Sequence, residues 1–381
     1  MGSAYTPGLT VSGRTVIEKT RRLPLKGAVL VQAGELVVPT TVVARTELPG
    51  LMQTVKLAEQ LGVEPNELKS ALRVSASDVI EKGQILAQTK GLFGFFKSEF
   101  KSPVAGRLEM ISEQTGHLGI RMPPTPIEKD AYVSGVVQSV IPEEGAVIHC
   151  VGALVQGIFG VCGERQGVIR AVTSSQDATL DESAITPECR GQILIGGQCV
   201  TLAALRAASA CGVAGIVVGG VVDSDLMEFM RSELKDPSFD IGVAITGHEP
   251  IPLTLVVTEG FGPIRMADRT YALLQSLNGR TAAINGATQI RAGVIRPEVI
   301  VADADQAASV APPAADAGEL RIGTPIRVIR EPYFGALGAV TGLPSELTQV
   351  DSETWVRVLN AALQDGRNVT VPRANVEIIV T

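Results

Sequence analysis

Apolar positions follow several rhythms along the chain, and each predicts a different kind of element. Between residues 22 and 48 they cluster at 23–25, 29–31, 37–38 and 42–44, which predicts short strands. Gly27 and the Ala33-Gly34 turn separate the first three. From 51 to 72 the rhythm becomes helical: Leu51, Val55, Ala58 and Leu61 recur at spacings of three and four, as do Leu68 and Leu72. Gly62 and Pro65 interrupt the pattern, so two short helices are predicted rather than one. A strand-rich block follows from 78 to 122. Farther on, 192–195 and 215–222 are unbroken apolar runs that read as buried strands. Between them Thr201 can cap a helix that Gly212 ends, giving one strand–helix–strand crossover. Strands are predicted near 241–245 and 253–257, a helix over 267–277 closed by Asn278-Gly279, and strands near 281–284 and 299–302. In the last segment Ile326, Val328 and Val340 alternate inward, with further strands at 356–359, 369–372 and 376–379.

Composition sharpens this picture. Charged residues are 19% of the 381, against roughly 25% in an ordinary soluble chain, and 45% are hydrophobic. That excludes a disordered protein and leaves enough apolar surface for real cores. Forty glycines, 22 prolines and only 4% aromatics favour turns and small strands over a helical bundle. Pro123-Pro124-Thr125-Pro126 forms one natural boundary, and the Ala/Pro/Asp-rich stretch 303–318 reads as a semi-rigid tether. The expectation is a multidomain, β-rich α+β chain: residues 1–125 with inserted helices at 51–72, an α/β domain over 126–302, the linker 303–318, and a barrel over 319–381. The alternative is one fused α/β body in which N-terminal hairpins pair with the middle region.

Two stretches carry family resemblances. Residues 79–87 and the following Ser102-Pro103-Val104-Ala105-Gly106-Arg107-Leu108 resemble one half of a biotinyl/lipoyl-type barrel-sandwich hybrid, with 25–44 as the other half. Carrier domains of that type place a modified lysine seven residues before the Ser-Pro serine. Here that position is Phe95, so neither a swinging arm nor any other cofactor is expected. The hairpin tip instead carries Leu92, Phe93, Phe95 and Phe96, which either close the barrel or form an apolar surface for another subunit. Residues 323–340 resemble the KOW motif of NusG-type transcription factors and some ribosomal proteins, which implies a five-stranded SH3-like barrel. The resemblance also implies RNA polymerase, ribosome or RNA as partners, with contact through Arg327, Arg330, Tyr333 and Phe334. The middle region is similar at fold level to swivelling β/β/α domains.

Charge bears on those partners. Residues 1–130 hold 16 Lys/Arg and 13 Asp/Glu, a net of +3; residues 131–318 hold 11 and 20, a net of −9; residues 319–381 hold 6 and 7, a net of −1. No segment has the basic excess of a phosphate-backbone binder, so nucleic acid is disfavoured and protein is the expected partner. The uncharged stretch 145–163 is long enough to span a bilayer, but five glycines and flanking Glu144 and Glu164 argue for buried strands and turns. Five cysteines without CxxC spacing, and no secretory leader ahead of them, read as reduced thiols in a cytoplasmic protein. His117, His149 and His248 are too far apart in the chain to suggest a metal site.

Catalytic motifs are missing, and enzyme is the minority reading. His248 beside Glu249 in a glycine-bearing loop is one candidate for general base chemistry, with a locally satisfied loop histidine as the plain alternative. Glu259 and Asn285 stand at strand ends, where α/β folds place ligands, and Arg291 could hold an anion. The glycine-rich run 157–163 lacks the residues that complete a phosphate loop. If His248, Glu259, Asn285 and Arg291 shared one cleft, an enzyme or a small-anion binder would be preferred. Otherwise the chain reads as a scaffold that self-associates and binds proteins.

Overall fold

Strand accounts for 46% of the described residues and helix for 16%, so sheet pairing decides the architecture. The computed structural model describes residues 9–89, 98–240, 246–289, 295–303, 320–328, 332–333, 336–349, 355–364 and 366–378. A 13-stranded mixed sheet forms its centre. Four strands in it run parallel: Glu164–Ala171, Gln192–Ile195, Gly215–Val221 and Thr254–Phe261, stepping one way across the sheet in chain order. The chain then crosses back, and Thr281–Asn285 pairs antiparallel on the other side of Glu164–Ala171.

Both faces of the parallel strands must be covered, because Gly215–Val221 is buried at every position. Helices Leu202–Cys211 and Asp223–Leu234 cover one face, packing Leu205, Leu226 and Phe229 against Leu194, Ile216 and Val218. Helix Asp268–Ser276 covers the opposite face, with Tyr271 and Leu274 against Ile195, Val217 and Val256. The first helix begins and ends as predicted: the Thr201 hydroxyl accepts from the Ala204 N–H, and Gly212 caps it at φ 79°. Asp223–Leu234 was not predicted. Its start carries no side-chain cap, although Leu226, Phe229 and Met230 sit at helical spacing.

The first strand, Val11–Arg22, was also unforeseen. It pairs antiparallel with Gly145–Gln156 from Val11↔Val155 to Arg22↔Gly145. Leu36–Val37 joins the same sheet through Gly135–Ile141, and Glu298–Ala302 pairs with Gly145–Gln156. The large sheet therefore takes strands from both sides of residue 125. The uncharged run at 145–163 forms strands, and among the described residues no helix is long and apolar enough to cross a membrane.

Smaller antiparallel sheets occupy residues 28–130. One comprises Met52–Val55, His117–Arg121, Gly106–Ser112 and Val79–Ile80; another comprises Thr125–Asp130, Val42–Leu48 and Ala28–Val29. Gly62 and Pro65 do divide the 51–72 region into Leu57–Leu61 and Leu68–Ala71, but residues 52–55 form a strand rather than helix. Among the described residues the C-terminal segment forms a six-stranded antiparallel sheet, Pro325–Val328 to Val376–Ile378, one strand more than the five expected because Leu347–Gln349 adds to Trp355–Leu363; Ile326, Val328 and Val340 are buried as their alternation predicts.

The unforeseen helix ends on Lys235 at φ 54°, a left-handed cap without glycine. Lys235→Gly removes a Cβ that this backbone disfavours. It should raise stability by about 1 kcal/mol, read as a higher urea midpoint at unchanged slope.

Candidate functional site

The three glycine-bearing stretches singled out in the sequence converge at the amino ends of the parallel strands. A Cβ on Gly286 would lie 2.0 Å from the Val161 carbonyl oxygen, so only glycine lets these loops approach. One Glu249 oxygen, Oε2, accepts from the Cys162 and Gly247 N–H groups at 2.8 Å each. Thr288 Oγ1 accepts from Gly160 N–H at 2.9 Å, and Thr288 N–H donates to Thr246 Oγ1 at 2.8 Å. Asn285 Oδ1 accepts from Ala287 N–H at 2.9 Å, closing its own turn. His248 is exposed, so the organiser of this cluster is its neighbour Glu249.

Two buried atoms here, Glu249 Oε1 and Arg165 Nε, have no hydrogen-bond partner among the described residues. Cys162 lies between these groups at φ 69°. Burial pushes its thiol up to about 12, with Glu249 adding to the effect and Arg165 opposing it. A thiol that stays protonated at neutral pH is a poor nucleophile.

Glu259 stands at the other, carboxyl end of its strand. Its Oε1 accepts from Ala267 N–H at 3.0 Å, next to helix Asp268–Ser276, and its Oε2 lies 3.5 Å from Arg327 Nη1 of the C-terminal sheet. Both side chains are nearly inaccessible, at 3% and 9% exposure. His248 and Asn285 thus sit at one end of the parallel strands and Glu259 at the other; no one cleft unites them. Loops of the chain itself cover the carboxyl ends, where α/β folds usually hold ligands. A Cβ on Gly220 would lie 2.0 Å from the Gly262 carbonyl oxygen.

An ion network around buried Arg21 and Glu298 is the strongest electrostatic feature, and none of its members was a candidate site residue in the sequence. Arg21, 5% exposed, donates through Nη1 and Nη2 to the two Glu164 oxygens at 2.6 Å each, and through Nε to the Asp130 carbonyl at 2.6 Å. Its guanidinium lies 5.3 Å from the Tyr132 ring centroid. Lys129 Nζ stands 3.9 Å from Glu164, while Lys19 donates to both oxygens of buried Glu298 at 2.5 and 2.6 Å. Tyr132 is itself strained. It holds φ 71°, a conformation that costs a bulky residue roughly 1–3 kcal/mol. Its buried hydroxyl is near enough to Glu298 to feel that charge, yet makes no well-formed hydrogen bond among the described residues. Burial, then Glu298 and Glu164, push the phenol well above its ordinary value. No strand was expected before residue 22, and Lys19 and Arg21 alternate as a solvent-facing edge would, so the sequence carries no local sign of the network.

The C-terminal candidates are scattered. Arg327 is engaged with Glu259, and Tyr333 packs against the sheet's core with Arg367 5.2 Å from its ring centroid. Leu92, Phe93, Phe95, Phe96, Arg291, Arg330 and Phe334 lie outside the described residues. The sequence reading also passed over Trp355. The chain's one tryptophan is 61% exposed on the hairpin of Leu347–Gln349 and Trp355–Leu363. Among the described residues no group of three or more His, Cys, Asp or Glu could hold a metal. Comparison of the chain with known protein families and with curated proteins found no match.

Burial pushes the Glu164 carboxyl up, but hydrogen bonds and charge from Arg21, with Lys129 and Lys19 behind them, hold it below its ordinary value. A carboxylate depressed in the folded state adds stability above the unfolded value of about 4.3 and loses it as pH falls through the folded value. Because Glu164 itself is exposed and screened by solvent, Glu164→Gln should cost about 1 kcal/mol near pH 7, and this deficit should shrink as unfolding is repeated below pH 4. A deficit independent of pH would show that charge pairing is not its cause.

Proposed function

We propose that the chain is a non-enzymatic interaction protein that self-associates and binds protein partners in the cytoplasm. The observation carrying this reading is the outer hairpin of the C-terminal sheet. Leu347 pairs across it with Arg357 and Gln349 with Trp355, so all four side chains share one face. Leu347 and Trp355 are 54% and 61% exposed. Tryptophan, arginine and an aliphatic neighbour form the composition that dominates protein interfaces. The occupant we assign is a second copy of this chain, because Arg357 complements the net −9 of residues 131–318.

The finer fold assignments belong to the same proposal. Antiparallel sheets within residues 28–130 support a barrel-sandwich hybrid, and the six antiparallel strands within 325–378 support an SH3-like barrel; of the expected 303–318 tether, all but Asp303 lies outside the described residues. Pairing of Val11–Arg22 with Gly145–Gln156 supports the fused arrangement, in which the first strand belongs with the swivelling-type α/β unit. Contact with RNA polymerase, ribosome or RNA is the weaker reading, since Arg327 is buried against Glu259. The closed carboxyl ends of the parallel strands likewise favour binding over catalysis.

Light scattering on the full chain tests this. An oligomer is expected for the wild type, and Trp355→Ser should shift it at least partly to monomer. A monomeric wild type overturns self-association. An oligomer that Trp355→Ser leaves intact but a Phe93→Ser/Phe96→Ser variant dissociates moves the contact to the 92–96 segment.

A further inference from the structure

Two of the five cysteines meet at a single residue, Thr186. Cys189 lies in the short turn Pro187–Cys189, and Cys211 is the last residue of helix Leu202–Cys211. The Thr186 N–H donates to Cys189 Sγ at 3.5 Å, and the Cys211 thiol donates to the Thr186 carbonyl at 3.3 Å. We infer that Cys189 and Cys211 are a reversible redox pair, closed into a disulfide by exchange with a small-molecule disulfide of the glutathione type.

Backbone geometry keeps the two sulfurs close. Thr186 is extended, with φ −113° and ψ 162°. At that ψ the carbonyl oxygen nearly eclipses the nitrogen of its own residue, so the two atoms lie roughly 2.8 Å apart. One sulfur is held at each of them, which limits their separation to less than ~10 Å before either side chain rotates. The flanking backbones are pinned as well. The Gly191 N–H donates to the Gly212 carbonyl at 2.8 Å, two residues after one cysteine and one after the other. A Cβ on Gly212 would lie 3.7 Å from Arg190 Cγ, in ordinary contact. A disulfide needs Cα atoms within roughly 7 Å, and this backbone bond holds the two segments at a comparable spacing.

Exposure sets the order of the steps. Cys211 is partly exposed and Cys189 is buried, so Cys211 meets the small disulfide first. Its thiol loses a proton to solvent, and the thiolate attacks one sulfur of the small molecule. A mixed disulfide forms and one small thiolate leaves. Cys189, deprotonated in turn, attacks the Cys211 sulfur and expels the second small thiolate. Two protein thiols are thereby oxidised to one disulfide, and one small-molecule disulfide is reduced to two thiols. The remaining cysteines are poorly suited to compete. Burial pushes the Cys150 and Cys162 thiols up to about 11 and about 12 and raises that of Cys199, which keeps all three protonated and slow to exchange.

Oxidised glutathione added to the reduced full chain tests the pair. Two of the five thiols should stop reacting with maleimide, the mass should fall by two hydrogens, and peptide mapping should find Cys189 joined to Cys211. Cys189→Ser should instead stop at the mixed disulfide, gaining one glutathionyl group on Cys211. Phenylarsine oxide, which bridges neighbouring thiols, gives a second measurement. It should protect both cysteines from maleimide in the wild type and leave Cys189 reactive in Cys211→Ser. A wild type that carries glutathione on Cys211 without the link overturns the inference. So does a link between two other cysteines in its place, or a chain whose five thiols all stay reactive. The wild-type peptide map decides even where a serine variant does not fold.

Discussion

A guanidinium withdrawn from water has to be paired, and Arg21 imposes that condition on several parts of the chain at once. Its partners come from widely separated positions: Glu164 opens the first parallel strand, Asp130 ends a strand of a smaller sheet, and Tyr132 lies in the connection that follows. Satisfying all of them requires the first strand to lie along Gly145–Gln156 in its observed register. A slip by one residue would turn Arg21 to the opposite face and leave Glu164 without its main partner. Packing alone would tolerate small changes at this joint; a buried charge does not, because losing one partner strands the other.

The same logic operates a second time at Glu259 and Arg327. Here the two residues belong to the α/β portion and the C-terminal sheet, and both are almost fully enclosed. A buried pair makes separation of the two costly, because two ions must be left alone or rehydrated. Residues that look in sequence like a ligand acid and a nucleic-acid contact are thereby occupied with each other.

How much was legible in the sequence follows from how local each signal is. Helix Leu202–Cys211 could be read because its cap, its apolar stripe and its terminal glycine lie within a dozen residues or so. The inward alternation of Ile326, Val328 and Val340 was equally local. Asp223–Leu234 has the stripe but neither punctuation mark, since Val222 cannot cap and Lys235 occupies a position that favours glycine. The first strand was hidden for another reason: its partner is more than a hundred residues away, and its alternating Lys19 and buried Arg21 imitate a solvent-facing edge. The candidate residues suffered similarly. His248 and Glu249 are adjacent in sequence, and only the fold reveals that the carboxylate organises the loops while the imidazole faces solvent.

These features share a cost that apolar packing would have avoided. Replacing buried ion pairs by well-fitted hydrophobic side chains is often neutral or stabilising, and a glycine at position 132 would relieve its backbone. What the charged arrangement supplies is position. Arg21 locates Tyr132 by its face, Glu164 locates Arg21 by two parallel hydrogen bonds, and register locates Glu164 opposite Asn285. Asn285 in turn closes the glycine-loop cluster. A hydrophobic core specifies volume with some tolerance for how it is filled, whereas a chain of directional contacts specifies which residue stands where. The loops around Glu249 are thus joined to Arg21 by one series of contacts through the large sheet.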